Sequence, residues 1–228
     1  LYAIWAFIPN IINNTTNYEC VYDGNEHSIK IDLNIDNYDI KYSINNKNYA
    51  LVELPKFKDV GEYTINYIVT SGDYIKIEFS NKVKIYGIKS IDKSIDVKND
   101  ILIVRYNDVD KLKNKFDIFA KIYDFKHIDK NGNIINNSII KTSDKFNINI
   151  NGEKDYIYSL SLLGDVNGDG KINSMDYVKI RKHIMQTENI SNKVYYYAAD
   201  VNSDDKISSA DYVKIKKYIM NGGTLWKK

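Results

Sequence analysis

One pattern appears twice near the C-terminus, and it limits what this end of the chain can fold into. Asp165 to Met185 reads DVNGDGKINSMDYVKIRKHIM, and Asp200 to Met220 reads DVNSDDKISSADYVKIKKYIM. The copies are identical at 15 of 21 positions and offset by 35 residues. Each opens with oxygen-bearing side chains at alternate positions and continues into an amphipathic stretch. Calcium is a hard cation that takes 6–8 oxygen ligands, and a calcium loop supplies them from positions 1, 3, 5, 7, 9 and 12. In the first copy these are Asp165, Asn167, Asp169, Lys171 (through its carbonyl), Asn173 and Asp176. In the second they are Asp200, Asn202, Asp204, Lys206 (again through its carbonyl), Ser208 and Asp211. Gly170 stands where the loop turns sharply, and Asp205 replaces it in the second copy, which together with Ser208 marks that loop as the weaker of the two. One such run is a common surface turn. Two in register, each with a full ligand set and the same following helix, are not.

The helical stretches repeat as well. Tyr177, Ile180, Ile184 and Met185, and then Tyr212, Ile215, Ile219 and Met220, recur at helical spacing and predict one buried face per helix. The two helices are expected to pack antiparallel with near two-fold symmetry. Both loops carry Asp at the twelfth position, where the EF-hand has a bidentate Glu, and no helix is read before either loop. Such tandem loop–helix repeats resemble the dockerin module, over residues 162–228. The resemblance implies two bound calcium ions and docking to a cohesin-bearing partner. It assigns partner choice to Ser174, Met175, Arg181 and Lys182 in the first copy and to Ser209, Ala210, Lys216 and Lys217 in the second. Because the copies are nearly alike, it also implies two binding orientations. Dockerins are found on secreted clostridial-type proteins, often polysaccharide-degrading enzymes, so an extracellular or cell-surface location follows from the same likeness.

Composition narrows the remaining choices. The 228 residues suit several small domains. The formal charge of +2, from 32 basic and 30 acidic residues, gives no bias toward nucleic acid or membrane surfaces. Twenty tyrosines and only two prolines, with abundant Asn, Ile and Lys, point to a β-rich chain. Cys20 is the single cysteine, which rules out an intrachain disulfide, and calcium can staple a small secreted domain in its place. No run approaches the roughly 18 apolar residues of a transmembrane helix.

Before the repeats the reading is multidomain. Residues 1–17 are expected to be a terminal strand, LYAIWAFI, followed by an Asn-Thr linker. The phrase LYAIW resembles the close of the Listeria–Bacteroides repeat and implies further repeats upstream of a chain that begins at Leu1. Residues 18–87 alternate as strands: YDGNEHSIKIDL after an Asp23-Gly24 turn, a hairpin around Asn45-Asn46, then Tyr63, Ile65, Tyr67 and Val69. Such spacing predicts a β-sandwich, and YDGNEHSI with PKFKDVGEYTINYIV resembles the immunoglobulin-like repeats of Gram-positive surface proteins. Residues 88–161 read as a small α+β adaptor: a strand ILIVRY, a short helix DVDKLKNKF, a strand AKIYDF, a DKNGN turn, and two strands within TSDKFNININGEKDYIYSLSL. The C-terminal region, 162–228, is expected to be an all-α dockerin.

No catalytic constellation is legible. His27, His127 and His183 lack metal-protease spacing, Cys20 has no nucleophile context, and neither a nucleophile elbow nor a phosphate loop occurs. Glu53 and Glu62 could be paired as glycosidase carboxylates, but they fall on strands of a spacer-like repeat. The expectation is a non-catalytic, calcium-binding tail of a secreted or surface protein. The alternatives are the tail of a polysaccharide-degrading enzyme, such as a glycoside hydrolase whose catalytic domain lies upstream, and a purely structural calcium-stiffened stalk.

Overall fold

The computed structural model describes residues 11–36, 38–45, 48–71, 75–222 and 225. The LYAIW strand and Asn46 of the predicted hairpin lie outside the described residues. The chain divides into two compact units: residues 1–89 with 118–121, and residues 90–117 with 122–228.

The first unit is built on one sheet. Its strands are β1 (Tyr18–Val21), β2 (Asp39–Ile44), β3 (Gly61–Ser71) and β4 (Ile75–Ile91), in the order β1-β4-β3-β2. β2, β3 and β4 run antiparallel, whereas β1 is parallel to β4. The predicted alternation on β3 holds, since Ile65, Tyr67 and Val69 are buried with Ile29, Val83 and Ile85 in one cluster. The buried Tyr67 hydroxyl is satisfied, donating to Asn81 Oδ1 and accepting from Asn13 Nδ2, each at 2.8 Å. The second sheet of the expected sandwich is not seen among the described residues. Ile11, Ile31, Leu33 and Phe57 pack on the cluster instead, joined by the isolated bridges Asn13↔Leu33 and His27↔Phe57.

The second unit carries a five-stranded sheet. Its strands are β5 (Asp96–Lys98), β6 (Ile101–Val104), β8 (Tyr123–Ile128), β9 (Lys145–Ile150) and β10 (Lys154–Leu162), in the order β5-β6-β10-β9-β8. Between β6 and β8 come α1 (Val109–Lys113) and β7 (Phe116–Phe119); residues 118–121 return to the first unit, and β7 belongs to that unit's sheet, beside β4. Asp108 caps α1, its carboxylate accepting from the Asp110 and Lys111 amides. The DKNGN segment is a turn, with Asp129 accepting from the Asn131 and Asn133 amides. Three further helices follow: α2 (Ser174–Ile184), α3 (Lys193–Ala199) and α4 (Ser209–Asn221).

The fold class expected from the sequence, with a separate all-α dockerin, does not hold. The chain is mostly β-structure, 18% helical with four helices among the described residues, and the C-terminal repeats do not stand apart as an all-α body. They belong to the same compact unit as the preceding sheet. The cause lies in β10, which alternates in burial until Leu160, Ser161 and Leu162, all of them buried. Helix α3 packs on β10 and β6 and covers what would otherwise be the wet face. The Ser161 hydroxyl donates to the Val194 carbonyl at 2.8 Å, the Leu163 amide to Val104 and the Gly164 amide to Ala198. Ser161→Ala should therefore lower the stability of this unit by about 1 kcal/mol, read by denaturant unfolding of the full chain.

A candidate metal centre in two loops

Both loops are tied by the same local bonds. Asn167 Oδ1 accepts from the Asp169 amide, and Asn202 Oδ1 from the Asp204 amide. Asp169 Oδ1 and Asp204 Oδ1 accept from the Lys171 and Lys206 amides. At the loop ends, Asn173 and Ser208 cap α2 and α4 through the Met175 and Ala210 amides. Asp176 and Asp211 close each capping box by accepting from the Asn173 and Ser208 amides, each at 2.9 Å. This explains the acid at the twelfth position in part: there it also sits near the positive end of a helix.

Four carboxylates of the two loops are sunk into the protein. Asp165, Asp176 and Asp211 are 0% exposed and Asp200 is 3% exposed, and among the described residues none pairs with a lysine or arginine. Burial pushes the Asp165 and Asp200 carboxyls up from the ordinary range and Asp176 up to about 6, with the Asp165 charge adding to it. Backbone amides oppose the shift in each case. A buried acid without a cationic partner is costly unless a cation completes it. The donor set, hard oxygens at alternate positions, fits calcium.

The two loops are not equivalent. Carboxylate oxygens of Asp200, Asp204 and Asp211 lie within 4.8 Å of one another. Among the described residues no other three carboxylates, Asp165, Asp169 and Asp176 included, gather that closely. Asp165 is instead held by four amides: Gly168 and Asp169 on Oδ1, Gly170 and Thr142 on Oδ2. Asp200 accepts from the Asp204 and Asp205 amides. Asp205 has the left-handed backbone expected of the residue replacing glycine, at φ 65°, and it forms an ion pair with Lys98 of β5.

The helix faces differ from the reading of the repeat. Ile180 and Ile215 are buried with Val166, Ala199 and Val201, and Tyr177 and Tyr212 pack against this cluster. Ile184, Met185, Ile219 and Met220 are exposed, because the helices meet through their first turns. There the Tyr177 and Tyr212 rings stack at 4.4 Å and their hydroxyls touch, a pairing of equivalent residues in the two copies. Ser174, Met175, Arg181, Lys182, Ser209, Ala210, Lys216 and Lys217 all lie exposed on α2 and α4, and Lys182 reaches Glu188 at 3.2 Å. Helix α3 was not read from sequence. Its signal was Asn192, whose side chain caps it.

The histidines and acids weighed for catalysis sit apart. His27 bridges Asp23 and Tyr18, His127 is buried against Asp144 at 2.8 Å, and His183 accepts from the Ile190 amide. Glu62 pairs with Lys82 and Lys84, while Glu53 is exposed.

Two buried-acid loops, each capping the helix that follows it, define a paired loop–helix module whose oxygen donors fit calcium. Residues 163–220, about a quarter of the chain, match the family model of the dockerin type I domain, and domains of that family are docking modules that bind calcium and cohesins. No curated protein matches the chain. Among solved structures it is similar to SGBP-B of the Bacteroides ovatus mixed-linkage glucan utilization locus, solved with a mixed-linkage heptasaccharide. That likeness has 9% identity and a TM-score of 0.25 over 66% of this chain, too slight to carry an argument. The chain spans 44% of that structure's length.

Proposed function

We propose that this chain is the docking end of a secreted or surface-attached bacterial protein, in which two calcium ions shape a cohesin-binding face and the preceding β-rich residues act as a spacer. The four buried carboxylates without a cationic side-chain partner carry the reading. The first ion would be held by Asp165, Asn167, Asp169, the Lys171 carbonyl, Asn173 and Asp176. The second would be held by Asp200, Asn202, Asp204, the Lys206 carbonyl, Ser208 and Asp211. The Asn173 and Ser208 oxygens already cap helices, which suits the water-mediated part that the ninth position often plays. Calcium supplies charge and coordination, and no reaction is involved.

The docking face would comprise Ser174, Met175, Arg181 and Lys182 with their counterparts Ser209, Ala210, Lys216 and Lys217. The exposed Val178 and Val213 add apolar area beside them. Among the described residues no helix is long and apolar enough to cross a membrane, a statement that leaves β-barrels aside. The test is binding of the full chain to a panel of cohesins, with calcium and with chelator. Binding that needs calcium supports the reading; failure of every cohesin with calcium retained would favour a structural stalk. With two usable faces, Arg181→Glu with Lys182→Glu should weaken a binding cohesin only about twofold, since one orientation of two remains. Adding Lys216→Glu and Lys217→Glu should cost at least about a hundredfold, roughly 2.7 kcal/mol, read by titration calorimetry.

A further inference from the structure

The glycines of the first loop are not explained by backbone conformation. Gly168 and Gly170 have φ of 78° and 83°, yet their counterparts Ser203 and Asp205 hold 61° and 65° with side chains. What differs is space. A Cβ on Gly168 would lie 3.0 Å from the Thr142 carbonyl oxygen and 3.1 Å from the Tyr195 hydroxyl, and one on Gly170 would lie 2.9 Å from Lys141 Cγ. The turn Lys141–Asp144 of the sheet is pressed against the first loop, and its Thr142 amide donates to Asp165 Oδ2 at 2.8 Å.

That turn is itself fastened at every residue. Asp144 Oδ2 accepts from the Lys141 amide at 3.0 Å and contacts His127 Nε2 at 2.8 Å. The Thr142 hydroxyl donates to the Leu162 carbonyl and accepts from the Leu162 amide. Ser143, at φ 82°, donates its amide to Leu160. Thr142, Asp144 and His127 are all buried. Among the described residues the second loop meets no such turn: the Tyr196 hydroxyl of α3 donates to the Asp205 carbonyl at 3.1 Å, and its direct side-chain link to the sheet is the Lys98–Asp205 pair, of a kind that contributes little.

We infer that the Lys141–Asp144 turn, locked by the buried His127–Asp144 pair, is a positioning element of the first calcium site alone, so that the affinity of that site depends on the preceding sheet and that of the second does not. The inference rests on the calcium reading of the loops. A preorganised donor holds the buried Asp165 carboxylate where the loop needs it, and hydrogen bonds to charged groups are the strong ones. Linkage makes the effect reciprocal: filling the first loop should also tighten the turn.

The test is a calcium titration of the full chain followed by amide NMR. Gly170 reports the first loop, Asp205 the second and Thr142 the turn. In the unaltered chain Thr142 should shift with the midpoint of Gly170. Gly168→Ser, which gives the first loop the residue the second carries, should raise the Gly170 midpoint about tenfold and leave Asp205 in place. Asp144→Ala should do the same by releasing the turn, while Ser203→Gly should move neither. A Thr142 amide that stays still while Gly170 titrates overturns the inference with the calcium reading intact, and decides the matter even where a variant fails to fold. So do Gly168→Ser midpoints that do not move, that tighten, or that move equally in both loops. Silence at both Gly170 and Asp205 means that the loops do not take calcium, and both readings then fall.

Discussion

Removing calcium from the full chain should destabilise its second unit by about 5 kcal/mol relative to a hundredfold excess of calcium over Kd, since each filled site contributes about 2.7 kcal/mol. The physical cause is the set of buried acids. Asp165, Asp176, Asp200 and Asp211 are inaccessible or nearly so, and without a cation their buried charges stand without a cationic partner. Because α3 packs on β10 and β6, the loss should extend beyond the loops. Hydrogen exchange read by mass spectrometry should show faster exchange across α2, α3, α4, β6 and β10 in chelator, and no change across β2 and β3. Exchange that is the same with calcium and with chelator would remove the calcium reading. Exchange confined to residues 163–220 would keep calcium and show that the helices and the sheet unfold separately.

The extent of that coupling was the part least legible in the sequence. Alternate oxygen positions identified both loops, because the chemistry of a hard cation fixes the spacing, and the amphipathic runs after them became α2 and α4. Period-two alternation located β3, and the turn chemistry of DKNGN was sufficient by itself. What failed depends on contacts between distant segments. Ser161 reads as the polar face of a strand, yet it is buried because α3 lies over it. Ile184 and Ile219 match a buried helical stripe, yet they are exposed because the helices cross near Tyr177 and Tyr212. The repeat places Gly170 at a sharp turn, a backbone that Asp205 also adopts at φ 65°. Its own reason is Lys141, nearly thirty residues earlier in the chain, and local pattern carries no trace of that neighbour.

The inequivalence of the loops gives the second large effect. Asp165→Asn should destabilise the full chain more than Asp200→Asn, although the two residues hold the same place in the repeat. An amide side chain keeps one acceptor and turns the other position into a donor. Each Asp165 oxygen accepts from two amides, part-buried on Oδ1 and buried on Oδ2, so either orientation of the new side chain leaves two N–H groups facing a donor. Each Asp200 oxygen accepts from one amide, Asp204 on Oδ1 and Asp205 on Oδ2, so only one is stranded. A buried group left unsatisfied costs about 1–3 kcal/mol and a part-buried one less, so the first substitution should cost about 2 kcal/mol or more and the second about half as much. Denaturant unfolding in saturating calcium measures both. Part of the Asp165 penalty belongs to the Thr142 amide, so Asp144→Ala, which loosens that amide beforehand, should make Asp165→Asn less costly in the double variant than in the single one. Additive costs would mean that the turn and the loop touch without sharing energy.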